Sequence, residues 1–76
     1  LRVIPAETGV AVLFPVHAPE PSVAGIYDIN GRRIQATIRK TGSKSWKIND
    51  LPHTGLYYLK TRESGNNDQQ VLFFFP

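Results

Sequence analysis

The segment 26–32 reads Ile-Tyr-Asp-Ile-Asn-Gly-Arg and carries the strongest local structural signal in the chain. Asn30 and Gly31 both tolerate a positive φ angle, so the pair suits a two-residue type I′ turn. Apolar residues follow strand-like patterns on both sides of this pair. The segment therefore predicts a β-hairpin whose two strands cover residues 22–29 and 32–39.

The strand after the predicted hairpin shows the clearest alternation. Ile34, Ala36 and Ile38 point one way, and every residue between them is polar or basic. Such a pattern is typical of a sheet with one buried face and one solvated face. The strand before the hairpin is ambiguous, because both of its faces carry apolar residues.

Period-two patterns continue along the rest of the chain. Residues 9–16 are apolar on both faces, which predicts a well-covered strand. Further strands are predicted over 45–49, 56–62 and 69–75, with a short one at Val3 and Ile4 and polar turns at 40–43 and 63–68. Because short turns join these strands and no segment has helical periodicity, the sequence predicts an all-β sandwich of two antiparallel sheets.

Length and composition restrict what the chain can do. Its 76 residues fit a single domain, spanning 1–76, whose small core disfavours an enzyme with a deep pocket. The absence of Cys excludes disulfides, thiolate metal sites and a thiol nucleophile. The longest apolar run is far short of the ~20 residues of a transmembrane helix. The chain begins at Leu1 rather than Met, so we expect a domain excised from the C-terminal end of a longer protein.

The charge of the chain is mildly basic, at +3, with nine Lys and Arg against six Asp and Glu. This excess permits weak attraction to anionic polymers or lipid headgroups. It is small for a nucleic-acid-binding domain, and no groove-reading helix or stacking motif is evident. No nucleic-acid partner is therefore predicted.

The polar residues do not form a recognisable catalytic or metal-binding pattern. Asp28 and Asn30 have no further acid nearby, and a hard cation needs about six oxygen ligands. We therefore expect both side chains to bond the backbone of their own turn. His17 and His53 lack companion ligands for zinc, and no serine lies in a nucleophile motif. The sequence predicts no catalytic residue, no cofactor and no metal.

Four residues are expected to serve the fold. Gly31 would supply the positive φ of the hairpin turn, and Gly55 would permit a sharp bend before the next strand. Trp46 and Tyr57 each lie on the apolar face of an alternating strand and are predicted to be core residues. We expect the hydroxyl of Tyr57 to bond a neighbouring turn.

Three stretches carry a resemblance to a known family. The segment 26–32 resembles the "IYDxxGR" element of the C-terminal sorting domains of the type IX secretion pathway, and 46–60 is similar to their "(i/w)xixxLPxGxYxxK" block. Residues 3–6 resemble a degraded form of the opening "YPNPA" element. The order and spacing of the three stretches agree with the family, so the resemblance spans almost the whole chain. The positions with a family-motif or structural role are Asp28, Asn30, Gly31, Arg32, Leu51, Pro52, Gly55 and Tyr57.

The resemblance implies an Ig-like antiparallel β-sandwich of six or seven strands with no catalytic residues. Domains of this family direct their cargo through the periplasm to the outer membrane or cell surface of Gram-negative bacteria. The implied partner is the outer-membrane translocon or a sortase-associated protein. A surface sortase usually removes the domain and often attaches the cargo to anionic lipopolysaccharide. The last strand, 69–75, lacks the Lys residues common in the family. This difference favours a second hypothesis, a retained surface domain that binds a partner protein or lipopolysaccharide.

Two surfaces are candidates for contact. Five cations point outward from predicted strands and would form one patch for anionic polysaccharide if those strands were neighbours; the alternative is that they keep the sheet soluble. An exposed aromatic beside Arg and an apolar terminal strand are candidates for a protein contact or for strand addition. A third hypothesis is an accessory sandwich of a secreted hydrolase. The candidate contact residues are Arg33, Arg39, Lys47, Tyr58, Lys60, Arg62 and Phe74.

Overall fold

A computed structural model describes residues 1–63 and 68–76 of the chain. Within these two ranges the chain forms seven strands and no helix. The strands are β1 (Arg2–Pro5), β2 (Val10–Leu13), β3 (Ser22–Asp28), β4 (Thr37–Gly42), β5 (Ser45–Asn49), β6 (Gly55–Arg62) and β7 (Gln69–Phe75). They build a four-stranded sheet in the order β1-β2-β5-β4 and a three-stranded sheet in the order β3-β6-β7. All pairings are antiparallel, which confirms the predicted all-β architecture of two antiparallel sheets.

The core lies where side chains of the two sheets meet. Val10, Val12 and Ile48 come from the four-stranded sheet and are almost fully buried. Ile26, Tyr57 and Leu59 come from the three-stranded sheet and belong to the same buried cluster. Full burial of one such side chain stabilises the fold by about 1.5–3 kcal/mol. Burial of the apolar residues that alternate along the strands is therefore the main source of the domain's stability.

A β-bulge explains why β3 has no clean alternation. Its pairing with β6 shifts register between Val23 and Gly25. An extra residue at a bulge reverses the face of every residue beyond it. Val23 and Ile26 consequently both point into the core, although a regular strand would place them on opposite faces.

The turn at Asn30 and Gly31 exists, but the predicted type I′ geometry is wrong. Gly31 has a φ of 84°, whereas Asn30 does not adopt a positive φ, which type I′ requires. The N–H of Asp28 bonds the carbonyl of Arg32 at 2.9 Å, and the N–H of Gly31 bonds the carbonyl of Asp28 at 3.0 Å. This pattern describes a three-residue loop in which glycine takes the left-handed position after a tight turn.

The strand predicted over 32–39 is also misplaced. β3 and β4 belong to different sheets, so the chain must cross between the sheets after the turn. Only an isolated bridge, from Tyr27 to Arg33, continues the hairpin. β4 therefore begins at Thr37, and the following turn lies at 43–44 rather than 40–43.

The first long strand is shorter than its apolar run. β2 ends at Leu13, and the N–H of Phe14 then bonds the carbonyl of Lys44 at 2.9 Å. Pro15 follows and has no N–H to continue a ladder, so the predicted extent of 9–16 is too long. The predicted turn over 63–68 falls largely on residues 64–67, which lie outside the described residues.

We expect Asp28→Ala to destabilise the domain by about 1–2 kcal/mol, because one carboxylate oxygen holds the loop through two backbone N–H groups. Oδ1 of Asp28 accepts from the N–H of Asn30 at 2.9 Å and from the N–H of Arg32 at 2.8 Å. The free energy of unfolding, measured by urea titration, checks this. Asp28→Asn keeps an acceptor oxygen and should lose less. An equal loss in both variants would contradict a hydrogen-bonding role.

Candidate functional site

The outer face of the three-stranded sheet carries an exposed apolar surface. Because β6 buries Tyr57, Leu59 and Thr61, its intervening side chains point away from the core. The register pairs Leu56 with Phe74 and Tyr58 with Leu72 on that outer face. We call these four residues, Leu56, Tyr58, Leu72 and Phe74, the apolar patch.

The patch is well exposed. Phe74 exposes 61% of its surface, Leu72 exposes 52% and Leu56 exposes 46%, while Tyr58 is half-buried. Adjacent apolar side chains that remain in water are typical of contact surfaces. Sequence reasoning singled out Tyr58 and Phe74 but missed Leu56 and Leu72 as their partners. The missing information was the cross-strand register.

A shallow depression of about 510 Å³ adjoins the patch. Tyr27 and Tyr58 form a cross-strand pair in it, and the ammonium of Lys60 lies 5.5 Å from the centre of the Tyr27 ring. The depression is lined by Tyr27, Ile29, Asn30, Gly31, Tyr58, Lys60 and Gln70. This side of the outer face therefore adds a second phenol ring, that of Tyr27, and the cation of Lys60 to the apolar patch.

The cations at the end of β6 are held by one carboxylate. Arg62 Nε lies 2.7 Å from Asp68 Oδ1, and Lys60 Nζ lies 3.8 Å from Asp68 Oδ2. The hydrogen bond from Arg62 is the main cause of the lowered pKa of Asp68. Asp68 therefore stays ionised at neutral pH and offsets part of the positive charge at this edge of the outer face.

The five candidate cations do not form a single patch. Arg39 and Lys47 are directly paired across β4 and β5, on the outer face of the four-stranded sheet. Lys60 and Arg62 lie on β6 in the other sheet, and Arg33 lies in the connection between the sheets. A common patch would require these strands to be neighbours, but β4 and β5 lie in one sheet and β6 lies in the other.

The residues of the family-like motifs lie at two turns. Asp28, Asn30, Gly31 and Arg32 build the loop after β3, as their hydrogen bonds show. The prediction that Asp28 bonds the backbone of its turn is confirmed, whereas the side chain of Asn30 makes no such bond among the described residues. Leu51 and Pro52 lie in the connection from β5 to β6, where Leu51 packs against the core. Gly55 has a φ of 134°, so glycine is needed for its backbone geometry as predicted.

Tyr57 fixes this second turn. Its side chain is fully buried, and its hydroxyl donates to the carbonyl of His53 at 2.5 Å. The same hydroxyl accepts from the N–H of His53 at 3.3 Å. The prediction of a core tyrosine bonded to a neighbouring turn is confirmed. Trp46 packs against the core but is only partly buried, and its buried indole N–H has no acceptor among the described residues.

Within 1–63 and 68–76, no three His, Cys, Asp or Glu residues cluster closely enough to hold a metal ion. The same part of the chain contains no helix long and apolar enough to span a membrane.

Comparisons with family models, curated proteins and solved structures gave no match. The interpretation of the outer face therefore rests on its own geometry.

Proposed function

We propose that this chain is a non-catalytic docking domain of the type IX secretion pathway, with an Ig-like fold. The observation that carries the docking role is the apolar patch on the outer face of the β3-β6-β7 sheet. The pathway is proposed from the resemblance of the two motif segments. The partner would be the outer-membrane translocon or a sortase-associated protein, met between the periplasm and the cell surface.

Two features support the Ig-like assignment. The order β1-β2-β5-β4 opposite β3-β6-β7 is the order in which the seven strands of a constant-type immunoglobulin sandwich are arranged. Such sandwiches also carry a tyrosine near the start of the sixth strand, whose hydroxyl bonds backbone a few residues upstream. Tyr57 makes this bond to His53.

The energetics favour a protein partner for the patch. Moving the exposed halves of Leu56, Leu72 and Phe74 out of water is worth about 1 kcal/mol for each side chain. Tyr58 adds an aromatic ring with a polar tip, a residue type that is enriched in interfaces. The patch therefore has the composition of a contact core, and Lys60 and Arg62 supply a polar rim.

The retained surface domain is the second candidate. The cross-strand pair of Arg39 and Lys47 favours it, because two adjacent cations could hold phosphate or uronate groups of lipopolysaccharide. Retention or removal of the domain is the property that separates the two candidates. The mass of the exported protein shows whether the domain has been kept or removed.

A secretion assay tests the proposal. The chain is fused behind an exported reporter in a bacterium with a type IX pathway, and the reporter is measured at the surface and in the medium. We expect the wild-type fusion to be exported and Phe74→Asp to accumulate in the periplasm, because a charge in the patch opposes its burial. Val16→Asp is the control. Val16 lies outside the strands, and 88% of its surface is exposed.

Each outcome bears on one part of the proposal. Retention of the wild-type fusion in the periplasm would contradict the pathway. Equal export of the wild type and Phe74→Asp would contradict the patch as the docking surface. Surface protein that has lost the domain would identify a removable signal, and surface protein that keeps it would identify the retained form.

A further inference from the structure

The two sheets have four edge strands, and three of them carry features that prevent pairing with another chain. β1 spans only four residues and includes Arg2 and Pro5. β4 contains Arg39 and Lys40, and its register shifts between Lys40 and Gly42. Short strands, charges, prolines and bulges are the usual means by which proteins protect sheet edges.

β3, the third edge, is protected by a bulge and by its own chain. Its register shifts between Val23 and Gly25. Near its other end, Tyr27 forms a bridge with Arg33, and the N–H of Ile34 bonds the carbonyl of Ile26 at 2.9 Å. The segment that follows the Asn30-Gly31 loop therefore covers part of this edge.

β7, the fourth edge, carries none of these protective features. It has seven residues, none of them charged, and contains no proline. Its pairing with β6 runs without a bulge from Gly55 and Phe75 to Thr61 and Gln69. Within the described residues β6 is its only neighbour, so the second edge of β7 presents free backbone donors and acceptors.

We propose that β7 pairs antiparallel with β7 of a second copy of this chain. A two-fold pairing that uses all seven residues is centred on Leu72, the middle of the strand. It sets Leu72 opposite Leu72 of the second copy and Val71 opposite Phe73 of the second copy. Because no charge lies on the strand, self-pairing brings no like charges together, and closed two-fold pairs are the commonest form of self-association.

Self-pairing would also extend the apolar patch. The three-stranded sheets of two copies would join into one sheet of six strands, since each contributes β3, β6 and β7. Leu72 lies on the outer face, so the patches of the two copies would meet at the two-fold axis. The inference goes beyond the docking role, because it concerns the strand edge and not the face.

Sedimentation equilibrium of the 76-residue chain over a concentration series tests the pairing. We expect a dimer for the wild type. Leu72→Lys sets two ammonium groups opposite each other and should raise the dissociation constant by roughly tenfold or more. Leu56→Lys is the matched control, because Leu56 is also an exposed leucine of the outer face but lies on the central strand β6. It should remain dimeric, and circular dichroism verifies that both variants are folded.

A mixture of charge variants tests the register. Leu72→Lys and Leu72→Glu should each be monomeric, and an equimolar mixture should associate, because opposite charges then meet at the axis. A wild type that stays monomeric at every concentration would overturn the proposal, as would equal dissociation of Leu56→Lys and Leu72→Lys. These outcomes are separate from those of the secretion assay, in which Leu56→Lys should reduce export although it leaves the dimer intact.

Discussion

Gly9→Ala is expected to remove more than about 3 kcal/mol of stability, whereas Gly31→Ala is expected to remove only about 1–2 kcal/mol. Both glycines have nearly the same positive φ angle, 81° at Gly9 and 84° at Gly31. Alanine therefore carries a similar conformational penalty at the two positions. The difference lies in what the added methyl group would meet.

At Gly9 the methyl carbon would lie 1.9 Å from the carbonyl oxygen of Ile48 and 2.8 Å from Asn49 Oδ1. That carbonyl belongs to β5, and Ile48 is paired with Val10 in the ladder between β2 and β5. The backbone cannot move away without breaking this ladder. At Gly31 the methyl carbon would have no neighbour within 4 Å among the described residues.

Urea unfolding followed by the fluorescence of Trp46 measures both variants. A domain of this size has a total stability of about 4–11 kcal/mol, so at the lower end of that range Gly9→Ala would keep less than about 1 kcal/mol. Equal midpoints for the two variants would show that the structure relieves the contact with Ile48. Gly31→Ala thus serves as the control for backbone conformation alone.

Tyr57→Ala is expected to destabilise the domain by about 3–5 kcal/mol, because it removes a fully buried ring from the centre of the core. The ring of Tyr57 stacks on Phe73 at 5.8 Å between centroids and on His53 at 5.5 Å. Tyr57→Phe keeps the ring and loses the hydroxyl bond to the carbonyl of His53, so it should lose about 1 kcal/mol. The two variants separate packing from hydrogen bonding.

Tyr58→Ala is the matched control for Tyr57→Ala. Tyr58 is the next residue on β6 and points to the outer face, so its loss should lower the free energy of unfolding by less than about 1 kcal/mol. Thermal unfolding of the three variants is sufficient for the comparison. A larger loss of unfolding free energy for Tyr58→Ala than for Tyr57→Ala would mean that β6 presents its opposite face to the core. A register slip of one residue exchanges the two faces of a strand.

The strands with regular alternation could be predicted from the sequence alone. β6 buries Tyr57 as predicted, and β7 has the predicted bounds of Gln69–Phe75. Here the pattern of buried and exposed side chains depends only on local periodicity. β3 could not be assigned a face in advance, because its bulge is a property of the pairing with β6.

Features that depend on distant parts of the chain were not predictable. The need for glycine at position 9 comes from a carbonyl of β5, and nothing near Gly9 in the sequence indicates that approach. The separation of Arg39 from Arg62 depends on which sheet each strand joins. The apolar patch likewise required the register that pairs Leu56 with Phe74.

The contrast between β7 and the other three edges has a consequence for stoichiometry. A subunit with one adhesive edge has a valence of one, so association by that edge ends when two subunits have met. A subunit with two adhesive edges has a valence of two and can polymerise without limit into fibres. Protection of the other three edges therefore limits association through β7 to a dimer and prevents growth into a fibre. The protecting features are Arg2 and Pro5 in β1, Arg39 and Lys40 in β4, and the bulge in β3.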